Sequence, residues 1–414
     1  MLNYFYISLS LEIIKGEELL KIKMYPAGNG DSFLICTDTT NILIDGGYAS
    51  SFIQQIEHDL KVLNSANQSL ELVIITHIDS DHISGIIKFL SLNGTSAQPS
   101  IIPINNIWHN SLRSITPPLA KPLDFEKNRS LLKSINDRGH PKTKSDTDSS
   151  AGKISAPQGS TLAKLIHSVG YRWNNGDGTT SISTENLESF PITGGMIRIL
   201  SPSQDSLKSL LNEWEKQLKK YGFKGSISSG ELIDDAFEFM LEHIDDHQGK
   251  SPKPISATTR KPLYEIYKPD DSPTNKSSIA TIIELNGIRI LMLADAWAED
   301  IILNLQKLKE EGHSMIFDAI KISHHGSYHN TSPELLNLID SPVYFISSNG
   351  NKHDHPDIET LIAIVDRPST FSRTLYCNYA TVASTELKNY QTKLETKFSV
   401  IENACDWITF TGNK

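Results

Sequence analysis

Apolar positions fall into two blocks of short, closely spaced runs, separated by a long stretch in which the pattern thins. In the first block, Lys21-Ile22-Lys23-Met24-Tyr25 alternates as a half-buried strand does. Pro26-Ala27-Gly28-Asn29-Gly30-Asp31 marks a turn, and the runs 32–36 and 41–44 have the length of buried strands. Helical spacing over 51–63 is followed by an apolar run at 70–75, which predicts a strand, and by a helix over 84–92. Hairpin strands followed by strand, loop and helix predict a layered α/β domain.

The second block starts at Ser277. Runs 279–285 and 288–293 flank Asn286-Gly287, a strong hairpin signal, and the second leads to Asp295. A helix over 297–309 precedes a strand at 319–323, which ends in His324-His325-Gly326-Ser327. A helix at 333–339, a strand at 343–347 and a loop containing His353 and His355 follow. Strand after strand thus stops at a residue able to bind metal, as when an α/β sheet gathers a site along one edge.

Between the blocks the pattern weakens from 110 to 190. Residues 139–160, rich in Lys, Ser, Asp, Gly and Pro, have too few large apolar side chains for a packed element and predict a flexible loop. A short helix at 161–169, a strand at 194–200, helices at 205–221 and 230–243 and a polar loop at 245–262 complete the region. The expected division is a first half-domain at 1–109, a flexible insertion at 110–193, a strand plus helical insertion at 194–270, and a second half-domain at 271–414.

Composition narrows the function classes. Over 414 residues the hydrophobic share of 38% leaves room for substantial surface loop. A formal charge of −10 argues against a broad basic surface for nucleic acid, though not against a local groove. Cys36, Cys377 and Cys405 are too few and too scattered for a disulfide framework. The first 23 residues have no basic leader, and no stretch has the length of a transmembrane helix, so the expectation is a cytoplasmic protein without membrane contact.

The chemistry centres on His77-x-Asp79-x-Asp81-His82. In extended backbone, residues two apart point the same way, so His77, Asp79 and Asp81 converge, with His82 opening the next turn. Imidazole with carboxylate suits zinc, manganese or iron. Four ligand-type residues in six positions, between a buried strand and a helix, have little structural explanation.

Together with Gly28-Asn29-Gly30-Asp31-Ser32 and Leu43-Ile44-Asp45-Gly46-Gly47, this motif resembles metallo-β-lactamase-fold hydrolases. It is most similar to the soluble hydrolase domain of the competence protein ComEC and its stand-alone relatives, which have Asp at the second motif position and Ser-His-His-Gly-Ser, here Ser323 to Ser327. The resemblance spans about 20–107 and 194–365. It implies a four-layer αββα metallo-β-lactamase fold with a large mixed loop and helical insertion, and two divalent metal ions, zinc or manganese. His77 and Asp79 match ligands of the first ion, and Asp81 and His82 those of the second. Asp295 matches the bridging acid, although many relatives have Gly-Asp where this chain has Ala294-Asp295. His324-His325 fills the place of the last histidine ligand, with the choice between the two left open. Where many relatives carry a third-motif histidine, this chain has Asn275, an amide and a weaker ligand, so the first site is expected to be the looser. Asp45 is expected to orient the metal loop, Asp31 to fix the Gly28–Gly30 turn, and His355 to hold substrate. His109 reads as a packed or exposed histidine, and His140, His243, His247 and His313 as surface residues.

The function implied is hydrolysis by a metal-activated water, carried mainly by Asp81, His82 and Asp295 with His325. By analogy the substrate is a phosphodiester in nucleic acid or nucleotide, and stand-alone relatives often work beside a partner protein. The competing readings are a hydrolase of a small ester, thioester or amide, and a regulatory subunit with a vestigial metal site.

Overall fold

The apolar runs of both blocks become strands of two sheets in the structure, a computed structural model that describes residues 19–116, 128–138, 161–242, 260–351 and 354–411. The loop expected at 139–160, most of that at 245–262, and His140, His243, His247 and His353 lie outside the described residues. The first sheet holds β1 (Leu19–Met24), β2 (Phe33–Cys36), β3 (Asn41–Ile44), β4 (Leu72–Ile74) and β5 (Ile107–Trp108). The second holds β6 (Ser189–Ile192), β7 (Gly195–Ser201), β8 (Ala280–Leu285), β9 (Ile288–Met292), β10 (Ala319–Lys321), β11 (Val343–Ile346), β12 (Arg373–Cys377) and β13 (Phe398–Ile401). A last strand, β14 (Ile408–Thr411), pairs antiparallel with β1 and so extends the first sheet.

Each sheet is antiparallel in one half and parallel in the other. β3, β4 and β5 run parallel, as do β9 through β13. The C-terminal ends of parallel strands share one edge. Asp45, His77, Asp295, His324 and Ser347 all follow shortly after such ends, which is why residues far apart in sequence gather there.

Alternation along each strand builds the layers. Ile22, Phe33, Ile35, Ile44 and Ile74 of the first sheet pack against Ile283, Ile290, Met292 and Phe345 of the second. Phe33 meets Phe345 edge-on at 5.7 Å, a geometry worth about 0.5–1.5 kcal/mol beyond area burial. Leu34, Leu43 and Val73 point outward, into a core shared with helix Ser80–Asn93. Leu291, Ile320, Tyr344 and Leu375 do the same on the other side, against helices Ala298–Glu310, Pro333–Leu338 and Ile358–Val365. The result is helix, sheet, sheet, helix: the αββα metallo-β-lactamase architecture.

The region between the blocks is more ordered than its pattern suggests. Helices Arg129–Arg138, Leu162–Ser168, Gln204–Lys220 and Glu231–Glu242 join the outer core of the first sheet. Two of them, and β6, fall within 110–193, which the sequence presents as a flexible insertion. Helix Arg129–Arg138 buries little beyond Leu132 and Ile135, so its period is faint. β6 contains Pro191, tolerated because β6 is the sheet's edge strand. Among the described residues, no helix is long and apolar enough to cross a membrane.

Candidate metal centre

The chain leaves β4 extended and enters helix Ser80–Asn93 through Asp79 (φ −67°, ψ 145°). Asp79 occupies the N-cap, yet its side chain makes no capping bond. Its carboxylate is instead left for the site, with Oδ2 3.5 Å from His77 Nε2. Two turns lie directly on this helix start. A Cβ at Gly30 would sit 1.8 Å from the Asp81 carbonyl oxygen, and one at Gly85 would sit 1.9 Å from that of Gly46. Glycine is therefore required where these backbones touch. The contact lets Asn29 donate to Asp81 Oδ2 while accepting from the Tyr48 hydroxyl at 2.8 Å.

Asp295 and the pair His324-His325 close the opposite side. Both histidines have left-handed backbone (φ 45° and 55°), and both rings turn inward. Asp295 Oδ2 lies 3.3 Å from His325 Nε2, 3.6 Å from His82 Nε2, 3.8 Å from His77 Nε2 and 3.9 Å from His324 Nε2. Each ring is held by its other nitrogen. His82 Nδ1 donates to Asp45 at 2.8 Å, His325 Nδ1 to the Ser347 carbonyl at 2.9 Å, and His324 Nδ1 to Asn330 Oδ1 at 2.8 Å. The Thr76 hydroxyl donates to Asp45 at 2.7 Å, so its oxygen accepts from His77 Nδ1 at 3.1 Å. With the proton fixed on Nδ1, every Nε2 turns a lone pair toward a carboxylate oxygen. His77 Nε2 and His82 Nε2 are buried without a hydrogen-bond partner. Such an arrangement repels itself unless a cation lies within it, and the donor set fits a divalent metal held by imidazole and carboxylate.

Charge on the isolated residues tells the same story. Burial opposes an imidazolium at His325 and at His82, but Asp295 and its neighbouring carboxylates outweigh it. His325 is pushed up to about 9, and His82 well above the ordinary histidine range. Asp295 is held well below the usual carboxylate range, against its burial, by His325, His82, His324 and Lys321. Lys321 is 1% exposed. Its ammonium donates to the Ala294 carbonyl at 2.8 Å, pairs with Asp31 and lies 3.5 Å from Asp295 Oδ1. His355 behaves oppositely: burial lowers it to about 4, despite Asp357 at 3.3 Å. Its ring stands edge-on to that of His324 at 5.2 Å.

The candidate ligands from the sequence, His77, Asp79, Asp81, His82, Asp295, His324 and His325, thus come together in one cluster. Asn275 joins them beside His324, with 3.5 Å between its Nδ2 and His324 Nδ1. Asp45 holds Thr76 and His82 from behind. Asp31 departs from expectation, since its carboxylate reaches Lys321 and His325 rather than the Gly28–Gly30 turn. That turn is closed instead by Gly30 N–H to the Ala27 carbonyl and by the Ser347 hydroxyl to the Gly30 carbonyl. His109 is buried against Glu238 at 2.8 Å. Cys36 and Cys377 are buried thiols, both pushed up to about 12 by burial, and Cys405 is exposed. Sequence reasoning missed Lys321, Asn330, Asp270 and Ser347. A lone lysine inside the apolar run 319–322 was the one available signal; the others lack any.

A family model, that of the Metallo-beta-lactamase superfamily, matches residues 25–101. This segment belongs to the metallo-β-lactamase superfamily. The metallo-β-lactamase match takes in Asn29, Asp45 and the 77–82 motif and stops before Asp295 and the paired histidines. None of the curated proteins matches the chain. Similar solved structures include the metallo-β-lactamase fold protein YhfI from Bacillus subtilis (9% identity, TM-score 0.36, covering 95% of this chain and all of that one). A diphosphatase from the PhnP family shows 7% identity and TM-score 0.37, covering 95% and 98% of the two chains. Zn(2+)-bound PqqB from Methylobacterium extorquens shows 10% identity and TM-score 0.36, covering 94% and 99%.

Proposed function

We propose that the chain is a metal-dependent hydrolase acting on phosphodiesters, a phosphodiesterase or nuclease of ComEC-like type, with two divalent ions held between the 77–82 motif, Asp295, His324 and His325. The observation that carries the metal reading is Asp295 Oδ2 facing four imidazole Nε2 atoms at 3.3–3.9 Å. Charge balance supports two ions. Asp31, Asp45, Asp79, Asp81 and Asp295 bring five negative charges against the one positive charge of Lys321, and two divalent ions cancel the remaining four. Zinc and manganese both suit this mixture of nitrogen and oxygen donors.

When bound, such ions supply Lewis-acid activation of water and of the scissile group. The chain's residues do the rest. Asp45, Ser347 and Asn330 keep the imidazole lone pairs aimed inward. Asn29, whose own oxygen accepts from the Tyr48 hydroxyl, holds the Asp81 carboxylate. His355, neutral at pH 7 with a value near 4, suits hydrogen bonding to a substrate oxygen rather than charge pairing. The phosphodiester assignment follows the resemblance of 323–327 and Asp79 to the ComEC-like subgroup.

The test is metal content of the purified protein, followed by metal-dependent cleavage of single- and double-stranded DNA, RNA and cyclic nucleotides beside a panel of carboxylic esters and thioesters. Two equivalents of metal and phosphodiester cleavage abolished by D81A/H82A are expected. Cleavage confined to the carboxylic esters and thioesters would move the substrate to them, and activity surviving D81A/H82A would end the mechanism.

A further inference from the structure

Asp270 lies outside every motif that drew attention to the site, yet two of the site's polar groups depend on it. Its Oδ2 accepts from Asn275 Nδ2 and from Asn330 Nδ2, each at 2.8 Å, while its Oδ1 accepts from the Ser272 backbone N–H at 3.0 Å. One carboxylate oxygen therefore holds two amides from separate segments by their NH2 ends. Asn330, fully buried, also donates to the Asp295 carbonyl at 3.1 Å. A flipped amide would set oxygen against both acceptors, so Oδ1 must face His324 Nδ1. His324 consequently keeps its proton on Nδ1 and a lone pair on Nε2.

The second amide is fixed in the same way. With Nδ2 of Asn275 committed to Asp270, its Oδ1 is buried without a hydrogen-bond partner. A buried acceptor left unmet costs about 1–3 kcal/mol, a cost that a divalent cation, which takes amide oxygens as ligands, removes.

We infer that Asp270 is a positioning residue for the metal site: it sets the amide orientation of Asn275 and, through Asn330, the tautomer of His324. An amide oxygen and an imidazole nitrogen are thereby supplied where the chain has no third-motif histidine. The inference rests on reading the cluster as a metal site.

The experiment uses the full chain and Asp270→Asn, which keeps shape and removes charge. Zinc and manganese are counted by elemental analysis and titrated against a chromophoric chelator, and histidine tautomers are read by 15N NMR. Wild type should bind two equivalents. D270N should lose about 10–100-fold in affinity for the weaker one, the usual scale for a residue that orients a ligand, and should show a mixed His324 tautomer. Asn93→Ala removes hydrogen bonds to the backbone of Ile101 and Ile102 at the far end of helix Ser80–Asn93, without touching either amide, and should lower thermal stability while leaving both affinities and the tautomer unchanged. If D270N does not fold, Asn275→Ala should weaken the same equivalent with the His324 tautomer intact. Wild-type affinities together with an unchanged tautomer in D270N, or wild-type affinities in N275A, would overturn the inference. A wild-type protein that takes up neither metal would overturn the metal reading itself, and the inference with it.

Discussion

His324 and His325 are neighbours of one residue type with the same left-handed backbone, yet they stand in walls built differently. His325 donates to a backbone carbonyl at the end of β11, and its ring lies among Asp31, Asp81 and Asp295 with 6% of the side chain exposed. His324 donates to a side-chain amide that depends in turn on Asp270, and 21% of its side chain is exposed beside His355. One wall is anchored on the sheet framework and compensated by a buried lysine. The other hangs on a network of loop side chains. A ligand anchored on the sheet cannot move without the fold, whereas one anchored through amides can be adjusted residue by residue.

The largest effect should come from breaking the framework wall at its charge. Lys321→Met leaves Asp31 without its buried ammonium, with only His325 at 3.4 Å beside it, and losing one member of such a pair costs about 3–5 kcal/mol. Urea unfolding of the metal-free protein measures it, and a loss below about 1 kcal/mol would mean that Asp31 finds another partner. Next comes a direct contrast between the walls. His325→Ala should abolish the tighter metal equivalent, while His324→Ala should weaken only the looser one, by about 10–100-fold. Equal losses in chelator competition would erase the distinction.

Acidity offers a third handle. His325, raised to about 9 in the chain without metal, lends stability that is complete below the ordinary histidine value of about 6.5 and is lost as pH rises through 9. Metal-free protein should therefore unfold more easily at pH 10 than at pH 6. Metal uptake at pH 7 should expel protons, with affinity rising toward pH 9. Calorimetry in buffers of different ionisation enthalpy counts those protons, and a buffer-independent enthalpy would contradict a charged His325. The smallest effect concerns Ala294, whose φ of 48° is left-handed. Ala294→Gly should stabilise by up to about 1 kcal/mol with metal affinity intact, as thermal unfolding would show.

The candidate ligands were far more legible in the sequence than the side-chain network that holds His324. His77, Asp79, Asp81 and His82 follow one apolar run within six residues, and Asp295 and His324-His325 each end another, so local pattern alone marked them. The hairpin around Asn286-Gly287 and most of the strands were equally readable, because alternation and turn chemistry are local. Asp270 and Asn330 lie 60 residues apart, in loops without period, and meet only through tertiary packing. Lys321 was visible as a charge in an apolar strand, but its partners Asp31 and Asp295 come from opposite sheets. β12, β13 and β14 escaped because their sequences are mixed: β13 and β14 alternate half-buried with exposed residues.

Helices Leu162–Ser168, Gln204–Lys220 and Glu231–Glu242 share their core with the helix that begins at Ser80. Leu162, Ile166, Trp214 and Phe237 belong to the same buried cluster as Ile83, Ile86, Phe89 and Leu90. They are not a detachable module. A minimal version trimmed to its sheets and their own helices would lay bare the apolar side of the element that carries Asp81 and His82, a sticky surface inviting aggregation. These helices are therefore a structural part of the scaffold, and shortening this protein would have to begin by repainting that surface.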